Sequence, residues 1–79
     1  MSAVLESLRE QVGIAGPAAE LANELLLIAE QYQNGELNRE EYGYLVQEIA
    51  DVRAQQELAH DEIACRYIVD AATMLLAVM

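Results

Sequence analysis

The chain has no lysine, no phenylalanine and no tryptophan, and only one cysteine and one proline. Each shortage closes off a class of protein. Without lysine, only Arg9, Arg39, Arg53 and Arg66 stand against 14 acidic residues, and the net charge is −10. Phosphate backbones are gripped by clustered cations, and four scattered arginines form no cluster, so direct nucleic-acid binding is not expected. An anionic membrane surface is disfavoured for the same reason. With Cys65 alone there is no internal disulfide and no cysteine-based zinc site. Its place in an apolar stretch reads as a small core residue rather than a nucleophile, and it fits a reducing compartment.

The remaining scarcity concerns breakers and aromatic bulk. The five glycines and prolines all lie within the first 43 residues, so the C-terminal half carries no breaker at all. Four tyrosines are the only aromatics, while 54% of the chain is hydrophobic. Alanine, leucine, valine and isoleucine supply that content, the vocabulary of closely approaching helices. At 79 residues the chain makes a single small helical domain, 1–79. A chain of this length buries only about 60% of the surface that its unfolded form exposes. Disulfides, metals or partner subunits usually stabilise such short scaffolds, and partner subunits are the staple most compatible with this composition.

The apolar tail from Ala71 to Met79 spans nine residues. That is well short of the ~20 needed to cross a bilayer, so no membrane span is expected. The N-terminal stretch lacks the basic segment and continuous apolar run of a signal peptide. A cytoplasmic or virion location is the expectation.

Punctuation predicts three helices, at about 2–12, 17–34 and 39–78. Ser2 caps the first, whose Val4, Leu5, Leu8 and Val12 recur at helical spacing. Gly13 marks its end, where left-handed geometry is expected, with Ile14 folding back onto the last turn. Pro17 opens the second helix at a position whose N–H has no helical partner. Ala18, Leu21, Ala22, Leu25, Ile28, Ala29 and Tyr32 make its apolar face, and Asn34-Gly35 ends it. Leu27 points with the polar side, either as a singly exposed leucine or as a second contact surface.

The third helix has the clearest start. Asn38 caps, Glu41 reaches back as a capping box, and Leu37 with Tyr42 can close a hydrophobic staple. Tyr42, Leu45, Ile49 and Val52 then keep a 3–4 spacing that continues through Gln56 and Ala59 to Ile63. Unbroken, this helix would be about 60 Å long, more than twice what the second helix can cover. The other reading is a kink hidden in the polar stretch Asp51 to Glu62. Gly43 costs roughly 1 kcal/mol against alanine and permits a close crossing.

The stretch Ile28-Ala-Glu-Gln-Tyr-Gln-Asn-Gly-Glu-Leu-Asn-Arg-Glu-Glu-Tyr-Gly-Tyr-Leu45 resembles the SHOCT-type short helical hairpin. In that pattern a helix ends in a glycine, followed by an apolar residue, a capping residue, an acidic pair, an aromatic and a leucine. Gly35, Leu37, Asn38, Glu40, Glu41, Tyr42 and Leu45 stand at the matching places, over about a quarter of the chain. The resemblance implies an oligomerisation or attachment element of the kind found in bacterial and phage proteins. The chain departs from the pattern in having no large preceding domain and in its long apolar continuation. In that form it looks like a small structural protein of a tailed-phage virion.

Candidate chemistry is sparse. Glu57 and His60 form a Glu-x-x-His pair, which on one helix face suits a ferritin-like di-iron site. Such a site needs a facing carboxylate, and only Glu10 from a second copy comes near it, so a surface pair is the simpler reading and no cofactor is expected. Glu62–Arg66 and Arg66–Asp70 are spaced for helix salt bridges. Arg66 and Asp70, set among apolar residues, can instead fix register in a bundle. Nothing forms a phosphate loop or a nucleophile–base pair.

The expectation is therefore an all-α, non-enzymatic protein: a helical hairpin with a short N-terminal helix and a long C-terminal helix, packed in a homo-oligomer or larger assembly. The long helix is apolar on nearly every side after Ile63, and such a helix must be buried by something. Folding back of the N-terminal helix covers part of it. Tyr67, Ile68, Ala71, Ala72, Leu75, Leu76, Val78 and Met79 are the predicted contact surface for the remainder. The competing reading is a small acidic regulator or antitoxin covering a basic partner, with the di-iron protein third.

Overall fold

Local punctuation divides the chain into helical rods. The computed structural model describes residues 2–14 and 16–77. It contains α1 (Ser2–Gly13), α2 (Ala19–Gln33), α3 (Arg39–Glu48), a π-helical turn at Ile49–Arg53, α4 (Ala54–Glu57) and α5 (Glu62–Ala77). The π turn and α4 continue α3 without interruption, so three turns or breaks separate four rods. The fold is all-α, with no strand among the described residues.

In α1 the residues Val4, Leu5 and Leu8 are buried, and Val12 packs against the same core. Gly13 remains helical as the last residue, and the left-handed turn expected there is not formed. Gly35 is the only residue with positive φ among those described. Ile14 does not fold back; it is 64% exposed. The second rod begins two residues beyond Pro17, after a turn closed by the Ala19 N–H on the Gly16 carbonyl at 3.0 Å. Ala18, Leu21, Ala22, Leu25 and Ala29 are its buried face.

The α2–α3 corner is built entirely from local chemistry. Gly35, at φ +79°, donates its N–H to the Tyr32 carbonyl at 3.2 Å, and Glu36 donates to Gln31 at 2.8 Å. These are the two bonds that satisfy orphan carbonyls at a helix end. Asn38 Oδ1 then accepts from the Glu41 N–H at 2.8 Å, and Glu41 Oε1 accepts from the Asn38 N–H at 2.9 Å. Glu40 and Glu41 also sit at the positive end of the α3 dipole. Tyr42 is fully buried, and its ring stacks on Tyr32 with centroids 4.3 Å apart.

The π turn alters which side of the rod faces inward. A π turn carries one extra residue and so rotates everything beyond it relative to an unbroken α-helix. The buried set is Tyr42, Val46, Ile49, Ala50, Ala54 and Leu58, in place of the expected Tyr42, Leu45, Ile49 and Val52. Val52 is thrown outward and is 44% exposed. Arg53 swings toward α2, where its Nη1 lies 2.9 and 2.8 Å from the two Glu24 carboxylate oxygens, one of which has no other partner. Its Nε bonds to Glu57. Those hydrogen bonds, Glu24 first, raise the guanidinium pKa above its ordinary value.

The long helix expected to run to residue 78 ends at Glu57. Leu58 leaves helical geometry at φ −114°, ψ 25° while its side chain stays buried. The Asp61 N–H closes the turn on the Leu58 carbonyl at 3.0 Å. Asp61 Oδ1 then accepts from the Ala64 N–H at 3.0 Å and caps the new helix. From there α5 folds back across α1, α2 and α3. The longest extent of the molecule is 34 Å, about half of what an unbroken rod would require. The break costs a few helical hydrogen bonds, largely replaced by the turn and cap. It removes Ile68 and Leu75 from water, each contributing about 1.5–3 kcal/mol. Burial wins.

Candidate protein-binding surface

Folding α5 back consumes much of the surface predicted for partners. Ile68, Ala72 and Leu75 are completely buried and Ala71 nearly so, all within the chain's own core. Tyr67 and Leu76 are half-buried. Val78 and Met79 lie outside the described residues. The stripe Ala64, Ile68, Ala71, Ala72 and Leu75 is therefore the inner face of a fourth rod and not an assembly surface. The all-round apolar character of α5 remains, however, and its outer face is the place to look.

Ile63, Tyr67 and Met74 recur four and seven residues apart, so they share one edge of α5. Ile63 is 85% exposed and Met74 51%. Beside this edge runs α1. Ala3, Val4 and Ser7 line a groove of about 180 Å³ with Tyr67, Asp70, Ala71 and Met74. At the other end, Ile14, Pro17, Ile63, Ala64 and Tyr67 line a second depression with Gln11 and Asp61. Tyr67 belongs to both, so the two join into one seam. Its hydroxyl shares a 2.8 Å hydrogen bond with Ser7 Oγ. The seam's polar tip is thereby satisfied internally, and the ring remains as apolar wall.

Charge is thin along this seam: among the described residues, Asp61 and Asp70 are the only carboxylates lining it. Asp70 also lines the depression on the far side of α5, together with Leu58, Glu62, Cys65, Arg66 and Val69. The outer edge of α5 thus stands between two hollows. Both ion pairs among the described residues are made by Arg53, so Arg66 is not engaged with Glu62 or Asp70 in the way their spacing suggests. Cys65 is a free, half-buried thiol facing the second hollow.

The Glu57–His60 pair loses its shared helix face, because the helix ends at Glu57 and His60 sits in the exposed turn that follows. Glu57 is already bonded to Arg53. Among the described residues, no group of three or more histidine, cysteine, aspartate or glutamate side chains is placed to hold a metal ion. No helix of the described residues is long and apolar enough to cross a membrane.

Ile14, Ile63 and Met74 were not singled out by sequence reasoning as a shared surface. The signal that finds them is Asp61 read as a helix cap. Counting from that cap, 64, 68, 71, 72 and 75 take the inner face and 63, 67 and 74 fall on the outer one. No family model, no curated protein and no solved structure matches the chain.

Proposed function

We propose that this chain is a non-enzymatic structural or assembly component that associates with other copies of itself through the α1–α5 seam, with a bacteriophage virion as its setting. The observation that carries the assembly role is the line of exposed apolar side chains at Ile14, Ile63 and Met74 beside a charge-poor groove, whereas Leu27, Tyr44 and Val52 are exposed elsewhere. The virion setting rests on the resemblance of the sequence to small tailed-phage structural proteins. A chain of charge −10 repels its own copies over most of its surface. A charge-poor strip is where two such molecules can approach.

A two-fold interface uses the same patch twice, so six large apolar side chains become covered. Their burial is worth on the order of 10 kcal/mol, comparable with the ~4–15 kcal/mol that association costs. Concentration-dependent assembly follows, in place of an obligate complex. Sedimentation of the double variant Ile63→Asp/Met74→Asp tests the reading. Both positions are exposed, so the variant is expected to stay folded and helical while losing self-association. A double variant that sediments like the wild-type oligomer would exclude the seam.

A further inference from the structure

If copies do pair through the seam, the charges beside it set the orientation. Arg66 and Asp70 lie one helical turn apart on the exposed outer edge of α5, and neither makes an ion pair among the described residues. Asp70 lies on the line of Ile63, Tyr67 and Met74 and shares their groove, while Arg66 stands beside it toward the hollow on the far side of α5. An edge carrying one cation and one anion a turn apart is complementary to itself when reversed, because in an isologous contact residue i meets j and j meets i.

We propose that the occupant of this edge is α5 of a second copy, running antiparallel, with Arg66 of each chain paired to Asp70 of the other. The resting point of the two-fold axis follows from that pairing: it crosses the outer edge of α5 at the level of residue 68, close to the midpoint of a helix spanning 62–77. Nearly the whole length of α5 then overlaps its copy. The same register brings Ile63 of one chain beside Met74 of the other, so the two most exposed apolar side chains of α5 cover each other. Pairing Arg66 with Glu62 of a copy would move the axis to the level of residue 64 and leave roughly two-thirds of each helix unpaired. A parallel arrangement would set Arg66 against Arg66 and Asp70 against Asp70.

Charge exchange separates these geometries. Arg66→Asp gives an edge with two anions, and Asp70→Arg gives one with two cations. Each variant alone is expected to self-associate roughly tenfold or more weakly than wild type, since like charges then face across the axis. An equimolar mixture restores opposite signs at both contacts and is expected to recover association as a heterodimer, measured by light scattering of the mixed sample. Circular dichroism of each variant checks that helicity is retained. If the wild type associates but the mixture recovers nothing, the antiparallel register is wrong while the seam survives. If the wild type stays monomeric at all concentrations, the seam reading itself fails and this inference with it.

Discussion

Tyr42 shows how much one side chain can organise in a chain with little aromatic bulk. Its ring is fully buried against Tyr32, and its hydroxyl points at the Leu75 carbonyl across a long 3.5 Å. That carbonyl belongs to the last turn of α5, where acceptors lack helical partners. Burial, then the neighbouring Tyr32, pushes the phenol pKa upward. A group raised in the folded state stabilises it fully below the unfolded value of about 10, and the contribution is lost as pH climbs through the folded pKa. Stability should therefore fall on the alkaline side. Tyr42→Phe should flatten that fall in denaturant titrations at rising pH, at a cost near neutrality of about 0.5–1 kcal/mol. Unchanged pH dependence in the variant would assign the loss to other groups. Gly43 offers an opposite test. A Cβ there would meet only Leu76 Cδ2, at an ordinary 4.0 Å. Gly43→Ala should raise stability by about 0.5–1 kcal/mol through helix propensity, read from the denaturation midpoint.

The elements differ in how far the sequence announces them. The corner from Gly35 to Glu41 is legible because every bond in it spans five residues or fewer, and the residue types required are few. The π turn is not legible: Ile49-Ala-Asp-Val-Arg53 contains no residue that forbids an ordinary α-helix. What favours the extra residue is tertiary, namely Ala50 and Ala54 turned inward and Arg53 placed on Glu24. The break at Leu58 lies between these cases. It has no glycine or proline, and the competition is decided by burying Ile68, Ala72 and Leu75. Asp61 is its one local mark. Asp61→Ala should cost about 1 kcal/mol as a lost N-cap. Were α4 and α5 one helix, the same change would be neutral or slightly stabilising, since alanine is the better interior residue. Thermal unfolding of the variant separates the two.

At the scale of the whole molecule, folding α5 home changes what remains to be covered. An unbroken helix would have exposed Ile68, Ala72 and Leu75 and needed a partner to fold at all. The folded-back chain has its own core, and the partner surface we propose shrinks to the α1–α5 seam. That seam was not legible in the sequence, because its members lie at both ends of the chain and share a surface only after the break. Self-association through a charge-poor strip on a chain of charge −10 also has a definite salt dependence. Added salt screens the repulsion between copies and should strengthen assembly. The two Arg66–Asp70 contacts proposed between copies would lose a smaller amount. A basic partner held by the acidic surface would respond the other way.

Self-association through the seam is read from the solution mass of the chain, by light scattering across a concentration series at low and at high salt. The mass should rise from monomer to a defined oligomer, at lower concentration when salt is high. A helical monomer at every concentration under both conditions, or an oligomer that salt dissolves, would contradict it.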